Sequence, residues 1–278
     1  MSKSLFALLF APFFFVACST NNVTTDSSLQ RYFDSAGVKG SFGLFDNGQG
    51  HFTIYNLPRY KDSAYQPAGT FDIVQSLVAL QTGMLADTSA RIPGSLWTMM
   101  SIGDTNKLSA PILTLQGAFQ NVGNAGNIGF RGISGLLGKD SLKKWLDTVH
   151  YGNRDMGGSL DSFWLNNHLK ITSDEQLGLI KRLYFDQLPF FNRPQKLVRE
   201  MMPMESNSVY RMAYKTGRGI KEDGHAIGWV LGWVEENKHP YFFVLNLEAE
   251  DTTKDLSVIG LHIVKSILKP MGFFDGKK

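Results

Sequence analysis

The sequence has a single cysteine, Cys18, in 278 residues, so no disulfide can form within the chain. It has no block of five or six basic residues. Its 28 Lys and Arg are dispersed among 25 Asp and Glu, for a formal net charge of +3, which leaves no basic stripe for nucleic acid. The six histidines, His225 and His262 among them, show no paired metal-ligand spacing and read most simply as surface or packing residues. No cofactor or metal is implied, and no internal repeat is visible. No apolar run reaches the roughly 20 residues that a membrane-spanning helix needs. What remains is the composition of an ordinary globular protein, 43% hydrophobic and 19% charged, sized for one large domain or two smaller ones sharing a core.

Residues 1–18 read as a targeting segment and stand apart from the fold. Lys3 supplies the positive flank, and residues 5–16 are apolar apart from Pro12. The run ends in Phe15-Val16-Ala17-Cys18, which resembles the lipobox of bacterial lipoproteins, with Phe15 where leucine is usual. Plain secretion with cleavage near Ala17 is the alternative. The resemblance implies acylation of Cys18, a polar tether over residues 19–30, and, from Ser19, retention at the outer membrane.

Two short strands, 41–45 and 51–55, flank Asp46-Asn47-Gly48, residues that tolerate a positive φ. A buried helix is predicted over 71–80, where Phe71, Val74, Leu77 and Val78 recur at helical spacing and Gly83 supplies a stop. Further helices are expected over 140–149, 173–185 (with Ser173 as N-cap) and 193–202, while the glycine-rich stretch 121–138 reads as an irregular loop. Beyond Asn207 the pattern changes to strands at 209–215, 226–235 and 241–248, then a helix at 256–268. Strands at both ends with helices between predict an α+β fold. One antiparallel sheet would be built from 31–70 and 203–278, with an inserted helical lobe over 71–202 and a cleft between them.

Serine acyl-transferases of the penicillin-binding kind place a Ser-x-x-Lys turn at a helix start, so that the amine can take the hydroxyl's proton. A Lys-Thr-Gly on an edge strand closes the other side of the cleft. Here Tyr214-Lys215-Thr216-Gly217 ends an apolar strand. Tyr151-Gly152-Asn153 follows a helix and leads into Asp161-Ser162-Phe163-Trp164-Leu165. Gly228-Trp229-Val230-Leu231-Gly232-Trp233-Val234 and Tyr241-Phe242-Phe243 supply the strand pair that follows. Pro67-Ala68-Gly69-Thr70-Phe71-Asp72-Ile73 has the frame of a Pro-Ala-Ser-Thr-Phe-Lys-Ile motif. In this order, over about residues 40–268, the chain resembles the class D β-lactamases, the oxacillinases, and the resemblance implies the β-lactamase/transpeptidase-like fold.

The departures from that family fall on the chemistry. Gly69 stands at the nucleophile's place and Asp72 at that of the lysine, which in the family carries a carbamate. The second motif, Ser-x-Val, aligns with Ala125-Gly126-Asn127, and the arginine that grips the substrate carboxylate aligns near Ile259. The resemblance thus implies a cleft lined by Thr70, Trp164, Lys215, Thr216 and Gly217 around lost catalytic groups at Gly69, Asp72 and Ala125. Trp164 and Tyr151 read as core aromatics, and Asp72 has a bland alternative as a solvated helix-start carboxylate. If the backbone is retained, Asp72 is expected to be partly buried against Lys215, the Trp164 indole, Thr70 or Thr216, and to titrate below about 3.9. Three functions remain open. The cleft could bind a β-lactam or a peptidoglycan stem peptide without turnover, the surface could serve as an envelope interaction module, or Thr70 could serve an atypical active β-lactamase.

Overall fold

The computed structural model describes residues 22–93, 113–121 and 124–278. The targeting segment, with Cys18 and Ser19, lies outside them. The first strands form as the turn chemistry predicts. β2 (Lys39–Asp46) and β3 (His51–Tyr55) are antiparallel, and the Asp46 carboxylate accepts from the backbone N–H groups of Gly48 and Gln49 at 2.8 and 3.0 Å to close the turn. The segment expected to be the end of a tether is ordered instead. β1 (Val23–Thr25) pairs in parallel with β3, and Ser27–Leu29 forms a 3₁₀ turn that feeds α1 (Gln30–Ala36). Leu29 and Phe33 are buried there, so hydrophobic anchoring outweighs the polar composition.

From the C-terminal part come β6 (Met204–Ser206), β7 (Tyr210–Ile220), β8 (Ala226–Glu236) and β9 (His239–Ala249). With them the sheet runs β1-β3-β2-β9-β8-β7-β6, antiparallel except for the β1–β3 pair, which makes it mixed at that edge. β8 and β9 are buried along almost their whole length because both faces are covered. Strand alternation then sorts the side chains. Trp229, Leu231 and Trp233 join one core, and Val230 and Val234 join the other. On the second face lie α1 and the C-terminal helix Leu256–Leu268, which contributes Ile263, Val264 and Ile267.

Against the first face packs the helical lobe. Its centre is α2 (Leu57–Asp62) followed by the 3₁₀ turn Ala68–Phe71 and α3 (Asp72–Gln81), a helix buried on all sides. Although it carries Asp72, Gln75 and Ser76, the helix is buried along its length, and α3 is the floor on which the cleft rests. The lobe continues through α4 (Leu115–Gln120), α5 (Asn124–Leu137), α6 (Lys139–Val149), α7 (Ser173–Tyr184) and α8 (Asn192–Met201). The small ladder β4 (Ala64–Tyr65)–β5 (Ile171–Thr172) ties the segment after α2 to the start of α7. Helix α7 is capped by Thr172 rather than Ser173. The Thr172 hydroxyl accepts from Glu175 N–H, and the Glu175 carboxylate accepts from Thr172 N–H.

The stretch 121–138, expected to be a loop, is helix α5 over most of its length. Phe130, Ile133 and Leu137 bury one face of it, and the glycines allow close approach to α4. A Cβ at Gly129 would stand 2.8 Å from the Ala118 Cβ, whereas one at exposed Gly135 would meet nothing within 4 Å. Tertiary packing thus overrides a composition poor in helix propensity. The same helix should therefore respond oppositely to one substitution. Gly135→Ala should raise stability by about 0.5–1 kcal/mol, and Gly129→Ala should lower it by about 1–3 kcal/mol. Urea denaturation measures both, and a gain at Gly129 would contradict the packing described.

Candidate functional site

The cleft forms where the start of α3 meets β7. β6 pairs only with residues 211–213 of β7, so beyond them the outer edge of β7 is free to lie against the turn at Ala68–Phe71. Gly217 permits that approach, since a Cβ there would come within 2.9 Å of the Pro67 carbonyl and the Thr70 nitrogen. The resulting cavity, about 340 Å³, is lined by Gly69, Asp72, Lys215, Thr216, Gly217 and Arg218, together with Asn121, Asn127, Asp255 and Ser257.

Asp72 and Lys215 meet at the bottom. Asp72 Oδ2 lies 2.8 Å from Lys215 Nζ, and both side chains are almost wholly buried. The ammonium also donates to the Phe119 carbonyl at 2.6 Å and sits 4.4 Å from the centre of the Phe119 ring. Of the partners expected for Asp72, Lys215 is the one the structure pairs with it. The expected titration is overturned. Burial pushes the Asp72 carboxyl up to about 6, and the attraction and hydrogen bond from Lys215 recover only part of that shift. Desolvation outweighs pairing because the pair sits in the floor rather than at the mouth.

Thr70 does not line the cleft. It is fully buried, its hydroxyl donates to the Pro67 carbonyl at 2.7 Å, and Gln176 Nε2 donates to it at 2.8 Å. Trp164 is likewise withdrawn. Its ring packs with Phe71 and Phe163, and its backbone carbonyl accepts from Ala68 N–H, so it supports the turn from beneath. Among the described residues its indole N–H has no partner, and burial drives the Tyr151 hydroxyl, which lies against Thr70 and Gln176, far above the usual phenol range. The second-motif position also shifts. Ala125 falls in the first turn of α5, and Asn127 is the residue of that tripeptide that lines the cavity.

Arg218 is the functional candidate that the sequence reading missed. It is exposed, lines the cleft, and donates from Nη2 to the Thr252 carbonyl at 2.7 Å. Its signal was a guanidinium set between Gly217 and Gly219 directly after Lys215-Thr216, where small neighbours leave it reachable. The Thr216 and Ser257 hydroxyls are buried and without partners among the described residues. A hydroxyl becomes a nucleophile only with a base in hydrogen-bond reach, and neither has one. Chemically, the cleft offers an exposed guanidinium with no acidic partner among the described residues and a strand edge, which suit an anionic, peptide-like ligand.

His225 takes part in a cluster that its spacing did not reveal. It brings Nδ1 to 2.9 Å from Glu248 Oε1, near Asp223. Lys221 Nζ stands between those carboxylates at 2.8 and 2.7 Å, so the protein's own ammonium fills the position a cation would take. Burial alone would raise Glu248, but Lys221, His225 and Arg59 outweigh it and hold the carboxyl at about 2.

Comparison with known proteins places this geometry. The penicillin binding protein transpeptidase domain family matches residues 33–269. The β-lactamase OXA-48 of Klebsiella pneumoniae is 30% identical over 227 residues, covering 81% of this chain and 80% of its own. OXA-5 of Pseudomonas aeruginosa is 29% identical over 254 residues, with 91% and 92% covered. Among solved structures, the class D β-lactamase YbXI from Nostoc superposes with a TM-score of 0.76 at 28% identity, over 89% of this chain and 99% of that one. With the sheet, the helical lobe and the Lys215-Thr216-Gly217 edge in this order, the chain belongs to the penicillin-binding transpeptidase-domain family, in its class D β-lactamase group.

Proposed function

We propose that this chain is a non-hydrolysing class D β-lactamase-like protein that binds a β-lactam or a peptidoglycan stem peptide non-covalently in the cleft over Asp72 and Lys215. The observation that carries the reading is Gly69, which offers no acyl acceptor at the turn facing β7. Thr70 and Ser76 do not substitute for it, because both are fully buried and Thr70 is committed to Pro67 and Gln176. Recognition would rest on Arg218, Thr216 and the free edge of β7, in place of the arginine absent near Ile259. Removing a nucleophile of this kind lowers turnover by around a millionfold, so binding outlives chemistry.

The reading includes export and acylation at Cys18, supported by the apolar run 5–16 and the lipobox-like Phe15-Val16-Ala17-Cys18. Since strand β1 starts at Val23, few residues would separate the lipid from the fold. Outer-membrane attachment would set the cleft facing the periplasm. Cys18→Ser should move the protein from the membrane fraction to the soluble envelope fraction, as fractionation and immunoblotting would show. Unchanged membrane association would contradict the anchor.

Purified protein should neither hydrolyse nitrocefin above background nor keep a fluorescent penicillin through denaturing electrophoresis. A labelled band would refute the non-covalent reading. Restoring both motif residues, Gly69→Ser with Asp72→Lys, should leave turnover at least about tenfold below that of an ordinary oxacillinase, since the carboxylate-gripping arginine is worth one to two decades. Two structural reasons add to this. A Cβ at Gly69 would lie 3.1 Å from the Thr216 carbonyl, and a lysine at 72 would place a second ammonium where Asp72 now neutralises Lys215. Ordinary turnover in the double variant would overturn both arguments.

A further inference from the structure

A cleft suited to anions carries, in its floor, an anion of its own. Asp72 and Lys215 both line the cavity, and the carboxylate lies 2.8 Å from the ammonium that an incoming acid would seek. Lys215 is held in the same place by the Phe119 carbonyl and ring, so it cannot swing away to meet a ligand while Asp72 stays charged. Nor is there room for two carboxylates on one buried ammonium, because like charges in a desolvated floor repel strongly. A ligand anion and an ionised Asp72 are therefore competitors for Lys215.

We infer that Asp72 is an internal counter-ion that gates the cleft, so that an oxyanion ligand, a carboxylate above all, binds Lys215 together with one proton taken up on Asp72. The inference rests on the non-covalent binding reading for its ligand class. The proton balance is simple: water or buffer supplies H⁺, the Asp72 carboxylate becomes a carboxylic acid, and the ligand's negative charge replaces it beside Lys215. The neutral acid can then donate a hydrogen bond to the ligand instead of repelling it. Burial already favours the protonated form, which brings the exchange within reach of mild acidity. The groups facing Asp72 are Lys215 from β7 and the Tyr151 phenol, which feels its charge from the loop after α6 and stays neutral through this range. Among the described residues no histidine lines the cavity; the other charged groups there are Arg218 and Asp255, whose carboxylate accepts from the Ser257 and Val258 N–H groups as the N-cap of the C-terminal helix.

The direction follows from linkage. Affinity is greatest where Asp72 is protonated before the ligand arrives and falls as pH rises through about 6, since each binding event must then draw a proton from solution. Titration calorimetry on the full mature protein, with benzylpenicillin and separately with inorganic sulfate, at pH 5 and pH 8 and in two buffers of different protonation enthalpy, reads both affinity and protons. The expected result is binding at least about tenfold tighter at pH 5, with close to one proton taken up at pH 8. Asp72→Asn should bind at both pH values with the affinity of the parent protein at pH 5 and take up no proton. If the variant does not fold, the two-buffer measurement on the parent protein decides alone. Penicillin binding that is flat in pH and free of proton uptake overturns the gate while leaving the binding reading intact. Proton-linked sulfate binding without penicillin binding supports the gate and removes the ligand class. Absence of binding by either anion at either pH overturns both.

Discussion

The ion pair between Asp72 and Lys215 is the contact around which the cleft is organised. It joins the first residue of a fully buried helix to the free edge of β7, and through the Phe119 carbonyl it reaches the end of α4 as well. Three elements thus meet on one ammonium, about as deep as a charge can lie without leaving the cleft. A buried pair of this kind adds little net stability, because each charge has lost its water. Its effect is to make the two residues depend on each other, and to fix where the walls of the cavity stand.

That dependence accounts for the character of the site. In the family that this chain resembles, a lysine at the helix start and a lysine on the strand serve a serine between them. Here the serine's place is taken by Gly69 and the helix lysine's by an acid, and the acid neutralises the strand lysine. What remains reachable is Arg218, one residue past Lys215-Thr216-Gly217. Cleft, strand edge and cation survive together, while among the described residues no hydroxyl in the cavity has a base. The arrangement suits holding an anion rather than cleaving an amide.

Much of this was legible in the residues. The helix at 71–80, the strand series after 207 and the order of motifs follow from periodicity and from turn chemistry, which act locally. The pairing of Asp72 with Lys215 was also readable, since an acid and a base facing one cleft have few other partners. The direction in which Asp72 titrates was not, because it depends on how deep the pair sits, and depth is set by the surrounding lobe. Helix α5 was hidden by its glycines, whose use emerges only where Gly129 meets Ala118. Thr70 and Trp164 were placed in the cleft by analogy, but the turn at Ala68–Phe71 directs one inward and rests on the other. Arg218 escaped because it belongs to no family pattern.

The most direct test of this account is a double-mutant cycle on the pair, read by urea denaturation at neutral pH. Asp72→Ala should cost about 3–5 kcal/mol, because it strands the Lys215 ammonium in the floor of the cleft. Lys215→Met should cost less, since an orphaned Asp72 can take up a proton. The combined replacement should return to within about 1 kcal/mol of the parent protein, leaving a large favourable coupling between the sites. If the two losses simply add, the pair is not the constraint on which the cleft depends.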